Sequence, residues 1–142
     1  MAAVQVQHFL SRARDFHKGK VLLRDEKLLG NDLSTYRLSS ALLGIHCAIS
    51  YSDALRTGMG CADVSSDDHR NAANDLKQRL ADRKFEKTQG AVRFERLLSK
   101  KNRVEYDPVT VRENEVEDIV IQATRFADWA EETGKALKIE GW

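Results

Sequence analysis

The sequence is poor in proline and cysteine, and each shortage narrows the class of protein. One proline in 142 residues leaves few obligatory helix breaks, so long helices are expected. The two cysteines, Cys47 and Cys61, do not form a C-x-x-C pair, and no cysteine–histidine set has the spacing of a zinc finger. Cys47 falls in an apolar stretch, which indicates a small buried side chain rather than a reactive thiol.

The sequence also lacks a long apolar run. No stretch reaches the length that crosses a membrane, and the N-terminal MAAVQVQHFLSRARD carries charge where a signal peptide needs an apolar core. We therefore expect a cytoplasmic protein without membrane contact. At 42% apolar and 32% charged residues, the composition is that of a globular protein. The length predicts a single domain over residues 1–142.

Charge is distributed unevenly along the chain, although the formal net charge is only +1. Residues 1–104 hold 19 Lys and Arg against 12 Asp and Glu, whereas residues 105–142 hold 4 against 10. In a compact bundle the two segments lie side by side, so part of this difference is expected to be internal complementarity. A basic surface for nucleic acid is compatible with the remainder.

Apolar residues recur at three- and four-residue steps in five segments, and no segment alternates with a period of two. Gly30 is a predicted helix stop, and Thr110 to Glu113 reads as a capping box. The second segment is apolar on most sides, which predicts a central helix. The predicted fold is an all-α, up-and-down bundle of about five helices. The helices are expected at about residues 4–29, 33–57, 67–80, 85–101 and 110–137.

One line of polar residues follows the second predicted helix and needs an explanation. Its steps of seven, four, three and four residues place the side chains on one face. They are Ser39, His46, Ser50, Asp53 and Thr57. His46 and Asp53 are about 10 Å of rise apart, which is too far for one metal ion.

Two interpretations of this line stay open. Its members are either hydrogen-bonded structural groups or, with His69 of the next helix, the wall of a polar pocket made of His46, Ser50, Asp53 and His69. No metal site and no cofactor are expected.

The stretch SKKNRVEYDP at residues 99–108 gathers three cations, Lys100, Lys101 and Arg103, around one amide, Asn102. Cations in the last turn of a helix offset the negative end of its dipole, and this alone explains them. A phosphate-binding edge is the second interpretation. No Gly-rich phosphate loop, nucleophile–base pair or pair of catalytic carboxylates is found elsewhere.

Three segments carry a resemblance to a known family. They are YRLSSALLGIHCAISYSDALR with the following DDHRNAANDL, then LLSKKNRVEYDP, and then TVRENEVEDIVIQATRFADWAEE. Over about residues 33–133 the chain resembles HEPN-domain proteins, the higher eukaryote and prokaryote nucleotide-binding family. The resemblance implies a four- or five-helix bundle that forms a homodimer through its central helices.

The same resemblance implies two kinds of activity. Many HEPN proteins are metal-independent ribonucleases of toxin–antitoxin, abortive-infection or CRISPR-linked systems, and others bind nucleotides or partners without catalysis. Active members carry an Arg, a polar residue and, a few positions later, a His. Lys101 and Asn102 occupy the first two places here, and Tyr106 is the only ring where the His is expected.

Three hypotheses follow. The first is a homodimeric RNA- or nucleotide-binding or regulatory component of a toxin–antitoxin or defence-type system. In this hypothesis phosphate is bound by Lys100, Lys101, Asn102, Arg103 and Tyr106. The second is a metal-independent endoribonuclease whose catalytic candidates are Lys101, Tyr106 and His46. The third is a non-catalytic module that binds a nucleotidyltransferase-like antitoxin.

Overall fold

The computed structural model of the protein describes residues 2–25, 36–64 and 69–142. Within these ranges the chain is helical and contains no strand, which confirms the predicted all-α fold. The five α-helices are α1 (Ala2–Leu22), α2 (Arg37–Gly58), α3 (His69–Asp82), α4 (Gln89–Tyr106) and α5 (Glu113–Ala136). A 3₁₀ turn, Pro108–Thr110, lies between α4 and α5. No helix in the described ranges combines the length and the apolar character that crossing a membrane requires.

Helix α2 is the centre of the bundle, because each of the other four helices packs against it. Its buried residues surround the helix instead of forming one stripe, and they include the polar Ser40, Ser52 and Arg56. A helix buried on most sides needs neighbours on most sides. The prediction of a central second helix is therefore confirmed.

Helices α4 and α5 pack through aromatic rings. The ring centroids of Phe94 and Phe126 are 5.4 Å apart, and those of Phe126 and Trp129 are also 5.4 Å apart. Trp129 lies directly against Gly90, where an added Cβ atom would come within 2.0 Å of the indole ring. The indole Nε1 of Trp129 donates a hydrogen bond of 2.8 Å to the carbonyl of Lys87. Glycine at position 90 therefore allows the close approach of α4 and α5.

The boundaries of α1, α2 and α3 differ from the predicted ones mainly next to the two internal segments that the structure does not describe, residues 26–35 and 65–68. α1 ends at Leu22 instead of residue 29, and the chain makes a turn before residue 25. The predicted stop at Gly30 and the predicted start of the second helix at residue 33 lie outside the described residues. So does the predicted start of the third helix at residue 67, although α3 is described from His69 onwards.

The boundaries of α4 and α5 differ for local reasons. Lys84, just after α3, adopts a left-handed conformation with φ of 54°, and residues 85–88 are not helical, so that α4 begins at Gln89. It continues to Tyr106, five residues past the predicted end, because Val104 is buried in the core. The capping-box prediction is wrong. Thr110 Oγ1 donates to the carbonyl of Asp107 within the 3₁₀ turn, and α5 starts at Glu113 without a side-chain cap.

Candidate functional site

A line of polar side chains joins α4 to α5 along the protein surface. The α4 members follow one another at steps of three, four and three residues, which places them on one face of the helix. Their partners on α5 recur at steps of three and four. We call this line the α4–α5 seam. It consists of Arg93, Arg96, Lys100 and Arg103 on α4 and of Glu115, Asp118 and Gln122 on α5.

The seam is built from pairs that match along the two helices. Arg103 forms an ion pair with Glu115. The Nζ atom of Lys100 lies 3.4 Å from Oδ2 of Asp118. At the other end, Arg93 Nε donates to Oε1 of Gln122 at 2.8 Å, and Gln122 Nε2 donates to Asp118 Oδ1 at 3.3 Å.

A cleft of about 290 Å³ opens in the middle of the seam, and we call it the seam cleft. Buried Leu97 and Ile119 form its floor. Arg93, Arg96 and Lys100 line it together with the carboxylate of Asp118. Among the described residues, the guanidinium of Arg96 has neither a hydrogen-bond acceptor nor an ion-pair partner. The cleft therefore combines an excess of positive charge with open donors.

The stretch predicted to bind phosphate is attached to neighbouring carboxylates. Lys101 Nζ lies 2.7 Å from Oε2 of Glu105, one helical turn further on, and its side chain is only 13% exposed. Arg103 is held by Glu115, as described above. Asn102 and Tyr106 are exposed, Tyr106 at 77%. Of the five predicted phosphate ligands, only Lys100 lines the seam cleft.

The described members of the predicted polar pocket lie on α2 and have different neighbours. His46 is half-buried and packs against Phe16 of α1, with ring centroids 5.9 Å apart. Ser50 is buried within α2. Asp53 lies 3.7 Å from Nη1 of Arg56. The side chain of His69 lies outside the described residues. Within the described part of the chain, no three His, Cys, Asp or Glu side chains are grouped so that they could hold a metal ion.

Asp53 is nevertheless an unusual carboxyl group. Burial raises its pKa to about 6, and the opposing effect of Arg56 and Arg12 is too weak to restore the ordinary value. Its neighbour Arg56 is completely buried and gives Nε to Oδ2 of Asp75 at 2.8 Å. Arg79 shares the same carboxylate oxygen, so Asp75 links α2 to α3. This arrangement fits the structural interpretation of the polar line in α2.

A second polar cluster, which was not predicted from the sequence, centres on Glu131 of α5. Arg14 binds its carboxylate with Nε and Nη2, both at 2.9 Å. The hydroxyl of Tyr51 donates at 2.8 Å, and the indole Nε1 of Trp142 donates at 3.0 Å. Burial opposes ionisation, yet the hydrogen bonds from Arg14 and Tyr51 keep the pKa of Glu131 below its ordinary value.

A buried lysine lies beside that cluster. Lys20 is 1% exposed, and its Nζ atom donates to Oγ1 of Thr124 at 2.6 Å. Its aliphatic part passes over Gly44, where an added Cβ would lie 3.4 Å from Lys20 Cδ and 3.0 Å from Ala123 Cβ. Burial lowers the pKa of Lys20.

Two of the titratable groups near this lysine are also perturbed by burial. The pKa of His17 is lowered by burial and by the positive charge of Lys20. The thiol of Cys47 is free, and burial raises its pKa to about 12. A raised pKa disfavours the thiolate, which is the reactive form of cysteine. Cys47 is also completely buried, which confirms its interpretation as a small buried side chain.

The α4–α5 seam and the Glu131 cluster differ in how far they could be predicted from the sequence. The 3–4–3 spacing of Arg93, Arg96, Lys100 and Arg103 is visible in the sequence once α4 is placed. Arg14 and Glu131 are 117 positions apart, so no local pattern relates them.

Comparison with known proteins adds no family assignment: no family model, no curated protein and no solved structure matches this chain.

Proposed function

We propose that this protein is a non-catalytic RNA-binding component of a toxin–antitoxin or defence-type system, and that RNA phosphates bind at the seam cleft. The observation that carries the proposal is the cationic line of Arg93, Arg96 and Lys100 along an open cleft. Phosphate groups are the ligands that such lines of Lys and Arg most often bind in nucleic-acid-binding proteins. The cellular setting rests on the resemblance to HEPN proteins alone.

The proposed binding edge lies one to two helical turns before the stretch expected from the sequence. Lys101 and Arg103 already interact with Glu105 and Glu115, so a phosphate would compete with these carboxylates. Arg93 and Arg96 have no carboxylate partner among the described residues. We therefore assign the phosphate contacts to Arg93 and Arg96, with Lys100, which is paired with Asp118, Lys101 and Arg103 as supporting charge.

Binding is favoured over cleavage for a related reason. A metal-independent ribonuclease needs a base and a phosphate ligand that are positioned together. Lys101 is held by Glu105, whereas Tyr106 points its ring into solvent at 77% exposure. The third candidate, His46, packs against α1. These positions support binding without catalysis.

The proposed assembly is a homodimer in a reducing cytoplasm. The side chains of Tyr106 and Val109, which are 77% and 94% exposed, offer apolar surface at the end of α4 for a second copy. A nucleotidyltransferase-like antitoxin is the alternative partner for the same surface. The free thiols of Cys47 and Cys61 fit a reducing compartment.

RNA binding can be tested with a labelled single-stranded RNA and fluorescence anisotropy. We expect binding at about 50 mM salt that weakens steeply by about 200 mM, because each neutralised phosphate contributes about 0.7 to the salt slope. Arg96→Gln should weaken binding about threefold to tenfold and reduce the slope by about 0.7. The matched control is Arg12→Gln, which removes an exposed arginine of α1.

The same samples report on catalysis and assembly. We expect the RNA to be recovered intact after incubation in EDTA, and light scattering to give the mass of a dimer. Absence of RNA binding at about 50 mM salt would overturn the proposal. Cleavage in EDTA that is lost in Lys101→Ala would replace it with the ribonuclease.

A further inference from the structure

The seam cleft contains one feature that phosphate binding alone does not use, which is the carboxylate of Asp118. Among the described residues it is the only acidic side chain that lines the cleft, and it lies among three cations. A site for phosphate alone would gain nothing from an anion, because like charges repel. The carboxylate is therefore expected to contact a different part of the ligand.

Asp118 keeps hydrogen-bonding capacity after its contacts within the protein. Its Oδ1 accepts from Gln122 and its Oδ2 accepts from Lys100. A carboxylate has about four acceptor positions, so two remain for a donor in the cleft. The side chain is 50% exposed, and these positions are open to a ligand.

Neighbouring side chains hold the carboxylate in place. Gln122 is itself fixed by Arg93 at 2.8 Å, so Arg93, Gln122, Asp118 and Lys100 form one hydrogen-bonded chain along the rim. Arg93 uses only Nε in this chain, which leaves its terminal nitrogens for an anion. The rim thus presents donors for a phosphate next to an acceptor for a donor group.

We infer that the seam cleft prefers an unpaired RNA base that presents an amino group, and that it binds cytosine more tightly than uracil. The inference rests on the proposed function, since it names the nucleotide that the same cleft selects. The phosphate lies on Arg93 and Arg96, and the base donates its amino group to Asp118. At position 4 of the ring cytosine presents an amino donor, whereas uracil presents a carbonyl oxygen that the carboxylate repels.

The size of the cleft limits the contact to one nucleotide. Its volume of about 290 Å³ is at the lower end of ligand pockets, which begin at about 300 Å³. In a duplex the N4 amino group of cytosine is occupied by its paired base. The preference therefore applies to single-stranded RNA.

The inference is tested with labelled oligocytidylate and oligouridylate of equal length, at pH 8 and low salt. We expect the unmodified protein to bind oligocytidylate about fivefold to tenfold more tightly, which is near the lower limit for a hydrogen bond to a charged group. Asp118→Asn should bring this ratio close to one and should tighten oligouridylate binding, because the repelling charge is gone. Glu132→Gln is the control. It removes an exposed carboxylate from the same helix, about 21 Å further along, and should preserve the ratio.

Each result has a distinct meaning. Equal, salt-sensitive binding of both oligonucleotides would overturn the base preference and leave the proposed function standing. A preference that persists in Asp118→Asn would overturn the role of Asp118. Failure of both oligonucleotides to bind would overturn the proposed function itself.

Discussion

Lys20 is the residue whose position departs most from what its chemistry suggests. In the first predicted helix the apolar residues at helical spacing include Phe16 and Leu23, so a lysine is not expected among the buried positions. In the structure the buried line of α1 contains Val6, Leu10, Ala13 and Lys20. Lys20 can occupy the last buried position of this line because its long side chain passes over Gly44 and reaches Thr124.

We expect Lys20→Met to stabilise the protein. Methionine fills a similar volume without a charge to desolvate, so the free energy of unfolding at pH 7 should rise by about 1–2 kcal/mol, as when buried ionic groups are replaced by apolar ones. Thr124 Oγ1 keeps its hydrogen bond to the carbonyl of Val120. Urea unfolding measures the change, and Lys18→Met, at an exposed position of α1, should alter stability by less than about 0.5 kcal/mol.

The pH dependence gives a second check on Lys20. Its pKa in the folded protein is lowered, so the unfolded chain holds more protons between the folded pKa and the ordinary value of 10.5. Stability of the unmodified protein should therefore rise with pH across this interval. The advantage of Lys20→Met should shrink as pH approaches 10.5, and an advantage that is constant with pH would contradict the assignment.

At the level of elements, the existence of all five helices followed from apolar periodicity, but their ends did not. The end of α4 depends on the burial of Val104, which is a contact with the rest of the bundle. The start of α5 depends on the 3₁₀ turn at Pro108, in which Thr110 donates to the carbonyl of Asp107 instead of accepting from a backbone N–H of the helix. Packing determines the end of α4, and a competing local hydrogen bond determines the start of α5. Apolar periodicity alone predicts neither boundary.

The close contact of α4 with α5 can be tested at Gly90. Replacing a helical glycine by alanine ordinarily stabilises by about 0.5–1 kcal/mol. Here the new Cβ would lie 2.0 Å from the Trp129 ring, so we expect Gly90→Ala to destabilise by about 1–3 kcal/mol through overpacking. Urea unfolding followed by circular dichroism measures the change.

Gly19→Ala provides the matched control for Gly90→Ala. Its new Cβ would lie 3.3 Å from Leu43 Cδ1, the end of a flexible side chain, so this variant should be neutral or stabilising. Equal effects of the two substitutions would show that helix propensity, and not the contact with Trp129, decides the outcome.

At the scale of the whole molecule, ion pairs between the basic and the acidic segment offset much of the uneven charge along the sequence. Arg14, Lys100 and Arg103 of the basic segment pair with Glu131, Asp118 and Glu115 of the acidic segment. The expected internal complementarity is therefore confirmed. The location of the seam cleft was not predicted, because it depends on which cations α5 leaves without a carboxylate.

Glu131 of α5 accepts hydrogen bonds from α1, from α2 and from Trp142, so its substitution should weaken all three contacts. Glu131→Gln removes the charge that Arg14, Tyr51 and Trp142 share. We expect the free energy of unfolding at pH 7 to fall by about 2–3 kcal/mol, since hydrogen bonds to charged groups contribute more than neutral ones. The exposed neighbour supplies the control, and Glu132→Gln should change stability by less than about 0.5 kcal/mol.

The sign of the pH effect at Glu131 follows from its lowered pKa. Its contribution is complete above the ordinary value of 4.5 and is lost as pH falls through the lower folded value. Urea unfolding of Glu131→Gln and of the unmodified protein should therefore converge in acid. A difference that is equally large at pH 3 and pH 7 would contradict an ionic origin.

The two tryptophans of the fold occupy separate environments and form two optical probes. Trp129 is buried beside Phe126, between α4 and α5. Trp142 stacks on Tyr51 at a centroid distance of 6.3 Å and covers Gly134. Single-tryptophan variants, with phenylalanine at the other position, would report the melting of each region by its own emission wavelength. Emission from Trp142 that shifts at a lower temperature than that of Trp129 would reveal the C-terminal segment detaching before the helices separate.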